Sequence, residues 1–392
     1  MKRIAGLSLS LYLVFLGTRS FIGAPQHTSN GDINIAVHNG SVLLPVLIDG
    51  KRLSFLVDTG STRSSISEAL IKDLNLQYSG TAEVVGNYGT QTLQMVRISS
   101  LRLGNSEFKD ETLAVANLDL LARTTGVSVD GVLGNDVLKD ITFKISFSQQ
   151  IAQFGPAAKL GGLSTPIKLA ENHDQFFVPT TLMTVRRNLL LDTGTNSTNL
   201  SSETWKELFK VWIPKSVIDG IASSAHSSAS AFLVCLPEIG LGNVEVRDQA
   251  VRVQSPVSTG VFSEIGFSGI LGSDILRQFE VTFDLGHSLL FLERDPAFRP
   301  DPYKYVTIGI QFAKDSTGAF TVISVWKNSP AAEAGMIPGD RIVGIDGESA
   351  GDFTLEQFSA RLHAEAGTPI KLKVERANNS SLVTVKTRKL LC

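Results

Sequence analysis

The sequence predicts a mainly β protein in which two similar lobes are followed by a smaller α+β domain. Two observations support this prediction. Short β-branched or aromatic runs bounded by Gly, Asn and Asp dominate the chain, and one long segment occurs twice. The 392 residues are 43% hydrophobic and 19% charged, which is typical of globular domains rather than of disorder. The net charge of −2 and the absence of a Lys/Arg run give no indication of a nucleic-acid partner.

The N-terminus has the pattern of a targeting segment. Lys2 and Arg3 precede the apolar stretch IAGLSLSLYLVFLG, after which polar residues begin. This is the layout of a secretory signal peptide, and the apolar stretch is short for a membrane span. We therefore expect residues 1–24 to direct export to the periplasm or the extracellular space. An uncleaved N-terminal anchor is the alternative, and it would be the protein's attachment to the membrane.

The repeat defines the two lobes. DGVLGNDVLKDITF begins at residue 130 and SGILGSDILRQFEV at residue 268, an offset of 138. LRLGNSEF at 101 and IGLGNVEV at 239 have the same offset, and the turns LVDTGS and LLDTGT are offset by 134. The first lobe is therefore predicted over 32–155 and the second over 165–294, with a Gly/Pro/Ser-rich linker between them.

Local signals predict the elements of each lobe. The Leu-Gly-Asn turns are typical of hairpins. SISEALIKDL and LSSETWKELFK, which follow the two DTG turns, have helical spacing, and Ser202 or Thr204 is the expected cap of the second helix. Each lobe is thus expected to be a compact β unit with one or two small helices.

The last quarter of the chain is predicted to be a separate α+β domain over 303–390. ERDPAFRPDP at 293–302 has the charged, proline-rich composition of a linker. Beyond it, Ser329 as cap and Pro330 at the first helical position predict a short helix, which Gly335 ends. The strand RIVGI follows, and TLEQFSARLHAEAG predicts a second helix with a Thr354/Gln357 capping box.

Cysteine and histidine usage predicts no metal site and no cofactor. The chain has two cysteines and six scattered histidines, without HExxH, CxxC or GxSxG patterns. Two cysteines make no disulfide framework. Cys235 lies in the apolar run AFLVCL, where we expect a small buried side chain. A bridge from Cys235 to Cys392 of the last domain is the less favoured alternative.

Two DTG turns, each followed by an apolar-apolar-Gly element, resemble the pepsin-like and retropepsin-like aspartic proteases. The matching elements are Val132-Leu133-Gly134 for Asp58 and Ile270-Leu271-Gly272 for Asp192. The resemblance covers about two-thirds of the chain and implies two β-barrel lobes that form one bilobal protease. It also implies that Asp58 and Asp192 are catalytic. Two carboxylates about 3 Å apart share one proton, so one can activate a water while the other protonates the scissile carbonyl.

The resemblance assigns supporting roles to the residues beside each aspartate. Thr59 and Thr193 are expected to form hydrogen bonds across the lobe interface. Gly60 and Gly194 allow a tight turn and a close approach to the partner lobe. Ser61 and Thr195 follow these glycines. Their hydroxyl groups are expected to donate to the adjacent aspartates and so favour the ionised forms of the aspartates.

Such proteases carry a hairpin flap over the site. VVGNYGTQTL in the first lobe predicts this hairpin and would place Tyr88 over bound substrate, although an ordinary hairpin turn explains the tyrosine equally well. The corresponding IASSAHSSASA of the second lobe has no clear hairpin signal. We therefore expect one flap.

The last domain resembles the PDZ domains of exported bacterial proteases. PDZ domains bind the C-terminal carboxylate of a peptide in a nest of backbone amides and add the peptide to a sheet edge. Here the nest would be the TIGI loop, with the amides of Ile308, Gly309 and Ile310. This loop departs at its first residue from the usual Gly-Leu-Gly-Phe pattern.

Together these features resemble the aspartyl proteases that bacteria export. They imply an exported aspartic endopeptidase that acts on peptide or protein substrates, with a PDZ domain that recruits or positions them through their C-termini. Two alternatives remain open at this stage. One is a peptide-binding protein that keeps the fold without turnover, and the other is a scaffold whose function lies in the PDZ domain.

Overall fold

The computed structural model describes residues 4–5, 10–11 and 32–392, except 39, 87–88, 120, 123–126, 161–163, 225–227, 258–259, 265, 302–304, 316 and 378. The predicted signal segment, 1–24, lies outside the described residues apart from two short strands, Ile4–Ala5 and Ser10–Leu11. Export therefore stays a prediction. The protein is mainly β, as the sequence predicts, and its strands form two large sheets, a smaller sheet between them and a C-terminal sheet.

One large sheet forms the first lobe. Its strands lie in the hydrogen-bonding order Ile4–Ala5, Gln77–Gly86, Gly89–Arg97, Thr112–Ala116, Ser65–Ser67, Gly131–Leu133, Lys51–Val57, Ser41–Ile48, Ser100–Leu103 and Ser106–Lys109, with Ala36–His38 beside Ser41–Ile48. The strand before the first DTG turn is held by a tight hairpin. Asp49 and Gly50 both have positive φ there, at 47° and 82°, which suits an Asp-Gly two-residue turn.

A second large sheet forms the second lobe and repeats this arrangement. Its strands lie in the order Ala170–Asn172, Gln175–Leu182, Val185–Leu191, Gly269–Leu271, Asn199–Leu200, Val244–Gln254, Ser228–Leu241, Val217–Ser224 and Ser10–Leu11. The predicted Leu-Gly-Asn hairpins are confirmed in both lobes. They join Ser100–Leu103 to Ser106–Lys109 and Ser228–Leu241 to Val244–Gln254.

A six-stranded sheet joins the two lobes. Its order is Ile167–Lys168, Leu289–Arg294, Phe279–Asp284, Thr142–Ser146, Ile151–Phe154 and Ile33–Asn34. Phe143 of the first lobe pairs with Phe283 of the second, and their rings stack with centroids 4.7 Å apart. One apolar core runs through both lobes and includes these two side chains. The lobes are therefore halves of one folded unit.

The helices differ in part from the prediction. The second DTG turn is followed by the helix Ser202–Val211, whose cap is Ser201 rather than Ser202 or Thr204, because the Ser201 side chain accepts from the Thr204 amide. The first DTG turn is followed by the strand Ser65–Ser67 and a single 3₁₀ turn, Glu68–Leu70. Sheet pairing on both sides of that strand takes the backbone groups that a helix would use. Short helices elsewhere in the lobes are Asn135–Leu138, Ala157–Leu160 and Ser273–Leu276.

The C-terminal domain has the predicted α+β composition. Its sheet has the order Ile310–Lys314, Phe320–Val325, Arg341–Ile345, Pro369–Arg376 and Asn379–Lys386, with Glu348–Ser349 beside the third strand, and Val306–Thr307 pairs with Arg388–Lys389. The two predicted helices are Pro330–Glu333, capped by Ser329, and Leu355–Leu362, which begins with the Thr354/Gln357 capping box. This domain has an apolar core of its own.

The junction between the second lobe and the C-terminal domain is packed and covalent. Cys235 and Cys392 form a disulfide with Cα atoms 5.2 Å apart, so the prediction that Cys235 is only a small buried side chain is wrong. Around the bridge, apolar side chains of both domains form one cluster, the junction cluster: Ile218, Leu233, Ala250, Tyr305, Trp326, Leu390 and Leu391.

The bridge forms because two pieces of sheet bring the cysteines together. Cys235 lies opposite Ala250 in the long hairpin of the second lobe, and the pairing of Val306–Thr307 with Arg388–Lys389 carries Cys392 to the same place. The segment predicted as a linker, 293–302, also begins inside a strand, and Asp295 is buried with its amide bound to the Gln278 carbonyl. The start of this proline-rich segment is therefore packed against the second lobe and is not a free linker.

Candidate active site

The apolar-apolar-Gly strands lie beside the strands that lead into the two DTG turns and fix the backbone of each aspartate. Gly131–Leu133 runs parallel to Lys51–Val57, and the Asp58 amide donates to the Leu133 carbonyl at 3.0 Å. Gly269–Leu271 runs parallel to Val185–Leu191, and the Asp192 amide donates to the Leu271 carbonyl at 3.1 Å. Each aspartate thus leaves its strand at the point where a neighbouring buried strand fixes its backbone.

The fold brings the two aspartates face to face. A Cβ atom placed on Gly60 would lie 2.5 Å from the Cγ atom of Asp192, and one on Gly194 would lie 2.4 Å from the Cγ atom of Asp58. Because a normal side chain does not fit into such gaps, only glycine allows each loop to lie against the opposite carboxylate. The residues that the sequence predicted as a pair, 134 positions apart, therefore meet at the lobe interface.

The pair is held in a state that favours a bound proton. Both aspartates are fully buried. Burial raises the pKa of Asp58 well above its usual range, and the charge of Asp192 and a hydrogen bond with it raise this pKa further. The amides of Gly60 and Ser61, which donate to Asp58 Oδ1 at 3.0 and 3.1 Å, act in the opposite direction but do not prevail. The Gly194 amide similarly donates to Asp192 Oδ1 at 2.8 Å.

The threonines of the two turns connect the lobes as expected. The Thr59 amide donates to Thr193 Oγ1 and the Thr193 amide donates to Thr59 Oγ1, both at 3.1 Å. Each hydroxyl then donates to the opposite strand, Thr59 to the Leu191 carbonyl at 2.9 Å and Thr193 to the Val57 carbonyl at 2.7 Å. These four bonds are buried, so they fix the distance between the turns.

The expected roles of the next two hydroxyl groups are different in the structure. Ser61 Oγ donates to the Arg63 carbonyl at 2.8 Å, and Thr195 Oγ1 donates to the Ser197 carbonyl at 3.3 Å. Both hydroxyls therefore close their own loops instead of reaching the aspartates. The contact of Ser61 with Asp58 is made by its amide.

Sequence reasoning missed Asn135, a buried residue directly behind the first turn. Its Nδ2 atom donates to the Thr59 carbonyl at 2.8 Å and to the Asp174 carbonyl of the second lobe at 2.7 Å. Lys139 adds an ion pair to Asp174 at 2.8 Å. The counterpart of Asn135 in the repeat, Ser273, donates to the Thr193 carbonyl at 3.1 Å. The repeat offset of 138 was the available signal for both residues.

A hydroxyl and a carboxylate form a second repeated unit behind each turn. In the first lobe Ser64 Oγ accepts from the Gly134 amide at 2.9 Å and donates to Asp136 at 2.6 Å. In the second lobe Thr198 Oγ1 accepts from the Gly272 amide at 3.1 Å and donates to Asp274 at 2.8 Å. Each unit ties the DTG loop to the glycine that ends its supporting strand.

Both lobes carry a long hairpin. The predicted first-lobe hairpin is formed by Gln77–Gly86 and Gly89–Arg97, and Tyr88 lies outside the described residues. The second lobe also has a hairpin, formed by Val217–Ser224 and Ser228–Leu241, although its sequence has no clear hairpin signal. This hairpin needs no turn signal of its own, since Ser228–Leu241 is already aligned on its other side by Val244–Gln254. The expectation of one flap stays a prediction.

The predicted carboxylate nest lies at the junction side of the C-terminal domain. Gly309 has φ 85°, and a Cβ atom there would lie 2.3 Å from Ser329 Cβ, so glycine is required. The Gly309 carbonyl accepts from the Trp326 amide at 3.0 Å, and the Ile308 carbonyl accepts from the Ala331 amide at 2.9 Å. The following strand, Ile310–Lys314, is an edge strand among the described residues, which is where a peptide strand adds.

Metal-ligand groups and membrane-spanning helices are both absent from the described residues. These residues contain no group of three or more His, Cys, Asp or Glu side chains placed to hold a metal ion. No helix in the part of the chain that the structure describes has the length and apolar character needed to cross a membrane.

Comparisons with known proteins identify two domains. Residues 44–137 match the family described as "Aspartyl protease", and residues 321–376 match "PDZ domain". Three curated relatives match part of the chain. A protein of Agrobacterium fabrum named "Putative zinc metalloprotease Atu1380" is 46% identical over 68 residues (17% of this chain, 18% of the relative). Of two carboxy-terminal processing proteases of Bacillus subtilis, CtpB is 26% identical over 72 residues (18% of this chain, 15% of the relative) and CtpA is 33% identical over 70 residues (18% and 15%).

The chain spans less than a fifth of the length of these relatives, whose names belong to proteases of different types. The aspartyl protease match includes the first DTG turn with Asp58 and its supporting strand, up to Val137. The PDZ match runs from strand Phe320–Val325 to Arg376. The chain therefore contains an aspartyl protease domain and a PDZ domain, the two families that its sequence resembles.

Proposed function

We propose that the protein is an aspartic endopeptidase whose catalytic residues are Asp58 and Asp192. The observation that supports this most is the meeting of two fully buried carboxyl groups at the lobe interface, each packed against the glycine of the opposite turn. Two carboxylates in such a place cannot both ionise at moderate pH, so the pair retains one proton. An Asp-Thr-Gly turn with only a structural role would not require a second DTG turn facing it.

The chemistry follows from this shared proton. The ionised carboxylate accepts a proton from a water molecule, and the resulting hydroxide attacks the scissile carbonyl carbon. The protonated carboxyl group donates its proton to the carbonyl oxygen, which gives a neutral tetrahedral intermediate. When the C–N bond breaks, the leaving amine takes up the proton of the pair, and one hydroxyl of the intermediate gives its proton back to the pair as the carboxylic acid forms, so the pair is again singly protonated. No cofactor is needed for these steps.

The substrates of this proposal are peptides in extended conformation. Such a chain would lie between the lobes, under the hairpin formed by Gln77–Gly86 and Gly89–Arg97, where Tyr88 is the proposed contact. The PDZ loop at Ile308, Gly309 and Ile310 would bind a C-terminal carboxylate and raise the local concentration of protein substrates. We place the protein in the periplasm or outside the cell, since a disulfide such as Cys235–Cys392 persists in oxidising compartments.

A peptide-library digest of the purified protein tests the proposal. We expect cleavage of internal peptide bonds that a pepstatin-type inhibitor blocks. Asp58→Asn and Asp192→Asn should each abolish cleavage while circular dichroism stays unchanged, because the pair acts as one unit. Asp73→Asn, at an exposed aspartate of the same lobe, is the matched control and should cleave normally. Activity that survives in either folded active-site variant would refute the mechanism, and an inactive wild type would favour a scaffold role.

A further inference from the structure

The junction with the PDZ domain lies directly against the support of the second catalytic turn. Asp274 belongs to the helix Ser273–Leu276, which follows the supporting strand Gly269–Leu271 after one glycine. A cavity of about 220 Å³ lies at this junction. Its wall includes residues of the second lobe and of the C-terminal domain, among them Gln249, Asp274, Arg277, Tyr305, Val306 and Cys392.

From Asp274 a short chain of hydrogen bonds leads to the loop of Asp192. Thr198, six residues after Asp192, donates its hydroxyl to Asp274 at 2.8 Å and accepts from the Gly272 amide at 3.1 Å. The Thr198 carbonyl accepts from the Arg252 amide at 2.9 Å. All four of these residues are buried. Buried hydrogen bonds therefore connect the Asp274 carboxylate to the loop that follows Asp192.

The two lobes surround their equivalent carboxylates differently. In the first lobe Asp136 is paired with Arg63 at 3.8 Å, and the arginine side chain is 35% exposed. In the second lobe the arginine near Asp274 is Arg252, which is 6% exposed. Burial lowers the pKa of Arg252 to about 9, and the charge of Asp274 opposes this shift. Asp274 thus interacts with a buried arginine, whereas the arginine paired with Asp136 is partly exposed.

Tyr305 of the C-terminal domain completes this buried group. Tyr305 lines the same cavity as Asp274 and Arg277. Burial raises the pKa of Tyr305, and the charge of Asp274 raises it further, whereas Arg277 and Arg252 lower it. Its carbonyl accepts from the Leu390 amide at 2.9 Å, and its ring belongs to the junction cluster.

The same junction also contacts the carboxylate loop of the PDZ domain. Tyr305 precedes the loop by two residues, and Trp326, another member of the junction cluster, donates its amide to the Gly309 carbonyl. Tyr305, which precedes the loop, and Trp326, which bonds the loop, therefore both pack in the cluster that is shared with the second lobe. None of the described members of the junction cluster belongs to the first lobe.

We propose that Asp274 is a positioning residue for the Asp192 loop, and that the PDZ domain completes the surroundings of Asp274 through Tyr305. The PDZ domain is then part of the catalytic unit and is needed even for a short peptide that cannot reach its carboxylate loop. This inference rests on the proposed function. It differs from a recruiting role, in which the PDZ domain changes only the local concentration of substrate.

The test uses the full chain and a short internal peptide with an amidated C-terminus, taken from the library digest. Tyr305→Phe removes the hydroxyl and keeps the ring, and Thr198→Val removes the hydroxyl that bonds Asp274. We expect both variants to lose roughly tenfold in kcat with KM within about twofold, because a displaced catalytic group weakens the transition state more than substrate binding. Thr198→Ser restores the hydroxyl and should restore kcat.

A matched control separates this effect from a general loss of packing. Thr180→Val removes another buried threonine hydroxyl of the second lobe, one that bonds its own strand at Val178, and it should leave kcat unchanged. Wild-type kcat in Tyr305→Phe and Thr198→Val, or an increase in KM alone, would overturn the inference while leaving the protease assignment intact.

Hydrogen–deuterium exchange provides a reading that does not depend on activity. In Tyr305→Phe we expect faster exchange of amides 192–200 and unchanged exchange of amides 58–66, because only the second loop depends on Asp274 in this proposal. If the wild-type protein cleaved no peptide, the proposed function would fail, and the exchange data would still decide the structural coupling. Equal exchange in wild type and variant at both loops would refute it.

Discussion

Thr59 and Thr193 exchange hydrogen bonds, each amide donating to the other residue's hydroxyl at 3.1 Å. The two bonds are related by the symmetry of the repeat, and both are buried. They hold the DTG turns at a fixed separation, and the glycines that follow bring each backbone against the opposite aspartate. These backbone contacts therefore set the close approach of the two buried carboxylates.

Removing one charge should stabilise the fold at neutral pH. The pKa of Asp58 is raised in the folded protein, so the unfolded chain loses its proton first as pH rises, and stability falls from about pH 4 upward. Asp58→Asn should therefore unfold at higher denaturant concentration than wild type at pH 7, with the difference vanishing below about pH 4. Denaturant titrations at both pH values measure this. A variant less stable at pH 7 would contradict the raised pKa.

Adding a methyl group between the lobes should strongly reduce activity. In Gly60→Ala the new Cβ atom would lie 2.5 Å from Asp192 Cγ, so the carboxylate or the loop must move. A displacement on the order of 1 Å lowers turnover by roughly a hundredfold. Gly240→Ala is the control, since a Cβ atom there meets Thr181 Cβ at an ordinary 3.5 Å. Comparable kcat/KM in Gly60→Ala and Gly240→Ala would show that the turns are looser than we describe.

The sequence was sufficient to predict the main architecture because the repeat is in the chain itself. The offsets of 134 and 138 residues indicated two lobes, and the resemblance of the repeated motifs to aspartic proteases implied the supporting strands and the meeting of Asp58 with Asp192. Capping residues such as Ser329 and Thr354 predicted the PDZ helices. These features depend on local pattern and on internal comparison, which one sequence provides.

Contacts between distant segments could not be predicted in this way. The bond from Asn135 to the Asp174 carbonyl depends on how the second lobe docks, and no local pattern encodes that docking. The Cys235–Cys392 bridge requires strand pairings 157 residues apart in sequence to coincide in space. The hydroxyl of Ser61 has a closer acceptor in its own loop than the aspartate, and residue type alone does not reveal which one it takes.

Asn135 should contribute more to stability than the ion pair beside it. Asn135→Ala leaves the carbonyls of Thr59 and Asp174 without a buried donor, which costs roughly 1–3 kcal/mol. Lys139→Met removes the partly exposed ion pair with the same Asp174, and such pairs contribute about 0–1 kcal/mol. Equilibrium unfolding of both variants makes the comparison. A larger loss in Lys139→Met would mean that the amide bridge is not the main link.

The Cys235–Cys392 bridge should be present in the oxidised protein and should stabilise the junction. Closing a loop of 157 residues removes unfolded-state entropy equivalent to at most about 5 kcal/mol in the chain-entropy description. The double variant Cys235→Ser/Cys392→Ser should therefore melt at lower temperature than wild type, and reductant should lower the melting temperature of wild type alone. Intact mass after alkylation provides the control. Two thiols that alkylate without reductant would show that the bridge does not form.

The pH–rate profile of a short peptide tests most directly whether Asp58 and Asp192 act as one pair with a shared proton. Raising the pH removes that proton, so no acid remains for the carbonyl oxygen and two charges repel each other in a buried place. We therefore predict that kcat/KM falls toward alkaline pH while the protein stays folded, with the whole profile lost in Asp58→Asn and in Asp192→Asn. A rate that still rises through mildly alkaline pH in the folded wild type would contradict the account, because another group would then be the base.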